Sequence, residues 1–157
     1  MIISVFGKTG TGKTTLSRLI ASCIKQITNK NIKEYSPFEQ VQFDKLIDIK
    51  TNEIIIINEI QIFKLFVNKN ILTNIITGHR HYNIDIICNS QRPALLQDRT
   101  IPALSDMIFI SRISDEEDLK YIKFFYSDIE RIKNLNNFEF VEILSGKNFK
   151  LDNENKI

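Results

Sequence analysis

The chain has 157 residues, 43% hydrophobic and 25% charged, with a formal net charge of +2. That length suits one domain of the usual ~100–200 residues, able to bury its own core, and the apolar residues fall in compact runs that exclude disorder. The small net charge argues neither for nor against nucleic acid, so any DNA contact must be local or repeated by an oligomer.

Ile2 to Phe6 is an apolar run ended by Gly7 and reads as a buried strand. A helix is predicted from about Gly12-Lys13, because Leu16, Leu19, Ile20, Cys23, Ile24 and Ile27 recur at helical spacing. Thr28-Asn29-Lys30-Asn31 ends it. Cys23, on that face, and Cys88, at the end of a later strand, are expected to be buried, reduced thiols. A disulfide framework or a zinc site would need more Cys or His at close spacing. Ile32 to Tyr35 reads as a second strand closed by Ser36-Pro37, and Val41 to Ile49 fits helix or strand. Glu53 to Ile57 is a β-branched run of the kind found in parallel strands covered on both faces.

Ile60 to Ile76 reads as helix with a break near Asn68-Lys69-Asn70, and Thr77 to Asn83 as a turn-rich link. Ile84 to Cys88 is a further strand, followed by polar Asn89-Ser90-Gln91 and then Pro93. Asp106 to Ile110 is the next strand. Asp115-Glu116-Glu117 opens a helix to about Phe125, with acids where the helix dipole favours them. Phe138 to Leu144 alternates apolar and acidic residues, as an edge or antiparallel strand does. Residues 1–150 show no linker or repeat and read as a single domain, and the polar tail 151–157 is expected to be flexible. Alternating strands and helices predict an α/β fold with a mostly parallel sheet flanked by helices. No signal peptide is visible and no apolar run approaches the ~20 residues that cross a bilayer, so a cytoplasmic protein without an intrinsic membrane span is expected.

Gly7-Lys8-Thr9-Gly10-Thr11-Gly12-Lys13-Thr14 has the pattern G-x-x-x-x-G-K-[ST] between a strand and an amphipathic helix, the context a phosphate-binding loop requires. Glycines let successive backbone N–H groups turn onto phosphate oxygens, and the helix N-terminus adds its dipole. Lys13 supplies a compact positive charge to the β- and γ-phosphates of ATP, the Thr14 hydroxyl is a candidate Mg²⁺ ligand, and Thr15 is placed for the α-phosphate. An acid at the end of a neighbouring strand normally completes the Mg²⁺ site. Ile54-Ile55-Ile56-Ile57-Asn58-Glu59 has that form, but Asn58 stands where Asp is usual; its carbonyl can accept from a metal-bound water but brings no charge. Glu59 is placed to act as a general base on the attacking water.

Ligands in open parallel sheets sit beyond the carboxyl ends of the strands, where Gln91 would reach a γ-phosphate or the attacking water. The alternative for this segment is a plain turn closed by Pro93. In His79-Arg80-His81, Arg80 is a candidate to complete a neighbouring subunit's ATP site, against the alternative of a solvated loop. Arg92, Arg99 and Arg112 are weaker candidates for that task. The two histidines are too isolated to suggest a metal site.

The phosphate loop, the four-isoleucine strand ending in Asn58-Glu59, and Arg80 followed by Ile84-Asp85-Ile86-Ile87-Cys88-Asn89-Ser90-Gln91-Arg92-Pro93 together resemble the HerA/FtsK superfamily of DNA-pumping ATPases. The stretch from Ile101 through Asp118 extends the likeness, which covers most of residues 1–125. The resemblance implies a RecA-like P-loop NTPase domain that assembles into a homo-oligomeric, usually hexameric ring and threads double-stranded DNA by backbone contacts that ignore sequence. By position, Gln91 resembles the family's polar sensor, and Arg80 an arginine acting across the subunit interface. The chain lacks the extra barrel of cellular translocases, and minimal domains of this kind resemble viral genome-packaging ATPases. That implies a viral or mobile-element source, a capsid or membrane protein partner, and a place in the host cytoplasm or the virion. Two other readings stand beside it. One is a non-hydrolysing nucleotide switch or scaffold subunit, motivated by Asn58. The other is a small-molecule or nucleotide kinase, although the arginines here are spread thinly and form no lid-like cluster.

Overall fold

The computed structural model of the chain describes residues 1–37, 51–66, 69–96 and 99–152. The ambiguous stretch Val41 to Ile49 and nearly all of the polar tail lie outside them. Seven strands, β1 (Ile2–Phe6), β2 (Asn31–Tyr35), β3 (Glu53–Ile57), β4 (Asp85–Ser90), β5 (Met107–Ser111), β6 (Glu139–Glu142) and β7 (Lys147–Lys150), form one sheet in the order β2-β3-β4-β1-β5-β6-β7. The first five are parallel neighbours; β6 runs antiparallel to β5, and β7 antiparallel to β6. The alternation of strand and helix in the sequence therefore produces the expected mostly parallel sheet, closed on one side by a hairpin.

Side chains alternate across this sheet, and the alternation divides the core in two. Ile3, Val5, Ile54, Ile56, Ile87, Phe109 and Phe140 pack against Leu16 and Ala21 of helix α1 (Lys13–Thr28). Ile2, Phe6, Ile55, Ile57, Ile86, Cys88 and Ile110 face the other way, onto Ile60 and Phe63 of α2 (Ile60–Phe66), Ile76 of α3 (Lys69–Gly78), Ile101 of α4 (Thr100–Leu104), Leu119 and Ile122 of α5 (Glu116–Ile122), and Ile132 of α6 (Ile129–Lys133). The continuous isoleucine run of β3 is thus explained by burial on both faces.

Several expectations change. Cys88 is buried as expected, but Cys23 is exposed, and Ile27 on the same helix is 85% exposed. The cause is length: 16 residues of helix reach about 24 Å, whereas a five-residue strand covers about 16 Å, so the last turns of α1 overhang the sheet. The predicted helix from Asp115 stops at Ile122 and gives way to turns before Phe125. Asp115 caps it, accepting from the backbone N–H groups of Glu117 (3.1 Å) and Asp118 (3.3 Å), an N-cap of the preferred type. β6 is antiparallel but not the edge, because β7 covers it. α4, α6 and β7 have only four or five residues each, too few to show a period in sequence.

Candidate phosphate-binding and catalytic site

The loop between β1 and α1 lies at the carboxyl end of the parallel strands. Gly10 and Gly12 adopt φ of 77° and 88°, left-handed values that favour glycine. A Cβ on Gly7 would lie 1.7 Å from Ser111 Oγ, and one on Gly12 would lie 2.6 Å from Phe138 Cδ1. The loop is therefore gripped by its surroundings as well as by its own conformation. Gly7 N–H donates to Ser90 O (3.2 Å), Lys8 N–H to Arg112 O (3.0 Å), and Phe138 N–H to Thr11 O (3.3 Å). Thr11 Oγ1 donates to Lys8 O (2.7 Å) and receives Ser111 Oγ (2.6 Å). Strands β4 and β5 and the segment leading into β6 all hold the same eight residues, while Lys8, Thr9 and Gly10 stay exposed.

Lys13 is 7% exposed, and its Nζ donates to Lys8 O at 3.1 Å. Burial lowers its pKa from the ordinary lysine value, and the negative charge of Glu59 partly opposes this. An ammonium held out of water against a neutral acceptor is an unmet charge, and a phosphate would relieve it. Thr14 and Thr15 follow in the first turn of α1, both half-buried. The loop, its lysine and the helix N-terminus together can hold an anion.

The ends of β3 and β4 meet beside this loop. Asn58 Nδ2 donates to Glu34 Oε1 (2.7 Å), and Asn58 Oδ1 accepts from Asn89 Nδ2 (2.6 Å). Asn89 Oδ1 in turn accepts from the backbone N–H of Glu59 (3.1 Å). Glu59 adopts φ 52°, a left-handed conformation that costs a non-glycine residue about 1–2 kcal/mol. Its Oε2 accepts from Gln61 Nε2 (2.6 Å) and from Gln91 N–H (3.2 Å). The Gln91 side chain accepts from Thr9 Oγ1 of the loop. Lys13, Glu59 and Gln91, named from sequence on three separate segments, are thus brought to one place. Among the described residues no group of three or more His, Cys, Asp or Glu side chains could hold a metal unaided. A Mg²⁺ at Thr14 and Asn58 would have to be completed by phosphate oxygens and water, the usual habit of that ion.

In front of the loop lies a cleft of about 470 Å³ lined by Lys8, Thr9, Gln91, Arg92, Asp115 and Asp118, among others. Arg92 is ion-paired with Asp118 (2.8 Å), Asp115 (3.4 Å) and Glu117 (3.9 Å). Burial pushes the Asp118 carboxyl above its ordinary pKa, against the pull of the Ala94 N–H and Arg92. Arg80 is elsewhere. It is 79% exposed and lies 3.8 Å from Asp106, whose other oxygen accepts from Ile2 N–H (2.7 Å). That places it at the amino end of β1, about 16 Å of strand away from the loop, so Arg80 cannot serve the loop of its own chain. Arg99 stacks over the Phe124 ring at 3.3 Å, Arg112 is exposed, and His79 is buried with Nδ1 2.7 Å from Ile76 O. His79 is therefore not part of a solvated loop.

Glu34, Arg18, Asn89, Ser111 and Phe138 carry the site's supporting contacts without having been singled out from the sequence. Asn89 had a signal, a polar residue directly after an apolar strand, and the parallel register Ile57↔Cys88 sets it beside Asn58. Glu34 had none, since β2 becomes the neighbour of β3 only in the folded sheet.

No protein-family model matches the chain, and no curated protein matches it. Solved structures do. The genome-packaging NTPase B204 of Sulfolobus turreted icosahedral virus 2, in complex with ATP-gammaS, is similar with a TM-score of 0.66 and 15% identity over 94% of this chain and 95% of that one. The DNA-packaging ATPase B204 of Sulfolobus turreted icosahedral virus gives 0.67 and 14% over 96% and 98%. The RuvB Holliday junction branch migration motor of Thermotoga maritima gives 0.51 and 21%, over 76% of this chain and 40% of that one. The chain has the RecA-like P-loop NTPase fold, and over nearly its whole length its architecture is similar to that of the viral B204 proteins.

Proposed function

We propose that the chain is an ATP-hydrolysing motor that moves double-stranded DNA, in the role of a viral or mobile-element genome-packaging ATPase. The observation that carries this reading is the convergence at the loop of Lys13, Glu59 and Gln91, with Gln91 contacting both Thr9 and Glu59. The likeness to the B204 packaging ATPases over nearly the whole of both chains supports the packaging assignment. Bound ATP with Mg²⁺ supplies the phosphoanhydride to be broken and the cation that neutralises it. Residues 7–15 hold the phosphates through backbone N–H groups, the Lys13 ammonium and the Thr14 and Thr15 hydroxyls. Asn58 Oδ1, which accepts from Asn89 through one lone pair, would offer the other to a water on a bound Mg²⁺. Glu59 takes the proton of the attacking water, and Gln91 orients it while linking that site to the exposed loop. Arg80, remote from its own loop, acts on a neighbour's nucleotide in a ring, most simply a hexamer, whose grip on the DNA backbone is independent of sequence and sensitive to salt. A capsid or membrane protein partner anchors the ring in the host cytoplasm or the virion. Among the described residues no helix is long and apolar enough to cross a membrane.

The test is steady-state ATPase activity with Mg²⁺, with and without duplex DNA, beside Lys13→Ala and Glu59→Gln. Stimulation by DNA that both variants abolish is the expected result; turnover indifferent to DNA from low to moderate salt refutes translocation. The competing reading, a nucleotide-dependent assembly switch without hydrolysis, is favoured by one observation: both ends of the Asn58 amide are already engaged. Under it the protein binds ATP and assembles without releasing phosphate.

A further inference from the structure

The strand-end amides form a chain of hydrogen bonds with one direction. The Glu59 N–H donates to Asn89 Oδ1, the Asn89 amide donates to Asn58 Oδ1, and the Asn58 amide donates to Glu34 Oε1. Glu34 is also held from the opposite side by Arg18 of α1, through Nε to Oε2 (2.8 Å) and a terminal nitrogen to Oε1 (3.0 Å). An ionised carboxylate only accepts, so only the NH₂ end of Asn58 can face Glu34. That choice turns Asn58 oxygen toward Asn89. Asn89 must then present NH₂ to Asn58, which leaves its own oxygen for the Glu59 N–H. Each amide orientation is dictated by the one before it, and the series begins at Glu34. Burial disfavours the charge of Glu34, but the hydrogen bonds from Arg18 and Asn58 outweigh this and hold its carboxyl below the ordinary pKa.

We propose that Glu34 is a positioning residue for the hydrolytic site. Acting through Asn58 and Asn89, it fixes the backbone of Glu59, and it makes asparagine the residue required at position 58. On this view the missing acid of β3 is not a lesion. The carboxylate has moved one strand over, to β2, and an aspartate at 58 would set two acceptors against each other at about the present 2.7 Å contact. Two carboxylates that close disfavour each other's ionisation, so the pair could keep both charges only at a cost. Glu59 needs the support because it sits in a left-handed conformation next to a strand end.

The inference rests on the hydrolytic reading of Glu59, so its test has a readout without nucleotide. Asn58→Asp, Glu34→Gln and the double variant are compared with wild type by thermal unfolding of the nucleotide-free protein and by ATPase kinetics. Asn58→Asp lowers Tm by about 5 °C. Adding Glu34→Gln to the same chain restores most of that loss, because the amide it introduces on β2 can donate to the carboxylate introduced on β3. Glu34→Gln alone lowers kcat at least about tenfold, since a catalytic group displaced by a fraction of an ångström loses much of its rate, while KM for ATP stays within about twofold. Additive Tm losses, or an Asn58→Asp protein as stable as wild type, overturn the proposal. So does a Glu34→Gln protein with unchanged kcat. A wild type that binds ATP without turnover, yet shows the Tm rescue, overturns the hydrolytic reading and the part of the proposal that acts through Glu59, leaving the Glu34–Asn58 pairing; turnover with additive Tm losses does the reverse.

Discussion

Replacing Gly7 by alanine adds one methyl group at the most crowded point of the loop. The new Cβ would lie 1.7 Å from Ser111 Oγ and 3.0 Å from both Ser111 Cβ and Thr11 Oγ1. Ser111 cannot simply rotate away, because its hydroxyl donates to Thr11 Oγ1 (2.6 Å) and also lies 3.4 Å from Phe6 O. Giving up its bond to Thr11 costs about 1 kcal/mol, and the residual overpacking at least about as much again. A total of about 2–3 kcal/mol, borne wholly by the loop, weakens ATP-gammaS binding by about 30- to 150-fold. Borne by the fold instead, it lowers Tm by about 4–12 °C in a chain of this size. Titration of ATP-gammaS by calorimetry and a thermal melt on the same sample divide the cost between the two. The double variant Gly7→Ala, Ser111→Ala removes the closest atom and recovers part of the loss. A Gly7→Ala protein that matches wild type in both measurements within error refutes the reasoning, because it would mean that β5 does not grip the loop.

Lys13→Met removes a buried, incompletely compensated ammonium, so the nucleotide-free protein melts no lower than wild type, while the rise in Tm with inorganic pyrophosphate disappears; a large loss of stability without ligand would show that the lysine is structural. At the opposite end of the sheet, Asp85 pairs with Lys30 at 2.8 Å and with the Met1 amino nitrogen at 2.9 Å. Burial resists its ionisation, but the hydrogen bonds from Lys30 and Met1 prevail and hold its carboxyl below the ordinary value. Asp85→Asn leaves Lys30 buried without a counter-charge and costs about 3 kcal/mol or more. Because the folded pKa is depressed, that advantage of wild type is complete above the unfolded carboxylate pKa of about 3.9 and fades as pH falls through the folded value; melts from pH 7 to pH 3 should show the two proteins converging. Of the two thiols, Cys23 reacts with a thiol-directed dye in the native protein at neutral pH. Cys88, buried and with its pKa pushed up to about 12, reacts only after unfolding, so two equivalents labelled under native conditions would contradict the packing of β4.

The chain's own order of residues determined much of this protein. The loop Gly7 to Thr14, set between a strand and a helix, carries the pattern of a phosphate-binding loop, and the β-branched run of β3 announced a strand buried on both sides. Those are local signals, carried by residues within one or two elements of each other. The polar residues that directly follow β3 and β4 are legible too, so Glu59 and Gln91 stand out as site candidates from their order in the chain. Strand order was decided elsewhere. It arises from which crossovers bury both faces of the sheet, and that is a property of the whole chain. Only the insertion of β4 between β1 and β3 brings Gln91 within reach of both Thr9 and Glu59. Only the pairing of β2 with β3 sets Glu34 against Asn58, and so turns an apparent defect in the sequence into one member of a hydrogen-bonded series. Arg80 illustrates the converse. The sequence reads it as a candidate for a neighbouring subunit's site but does not say which end of the sheet it occupies; a strand has two ends, and the fold puts the arginine at the one far from its own loop. Sequence spacing fixes what a residue can be, and because parallel pairing joins segments tens of residues apart, only the packed sheet fixes what it stands beside.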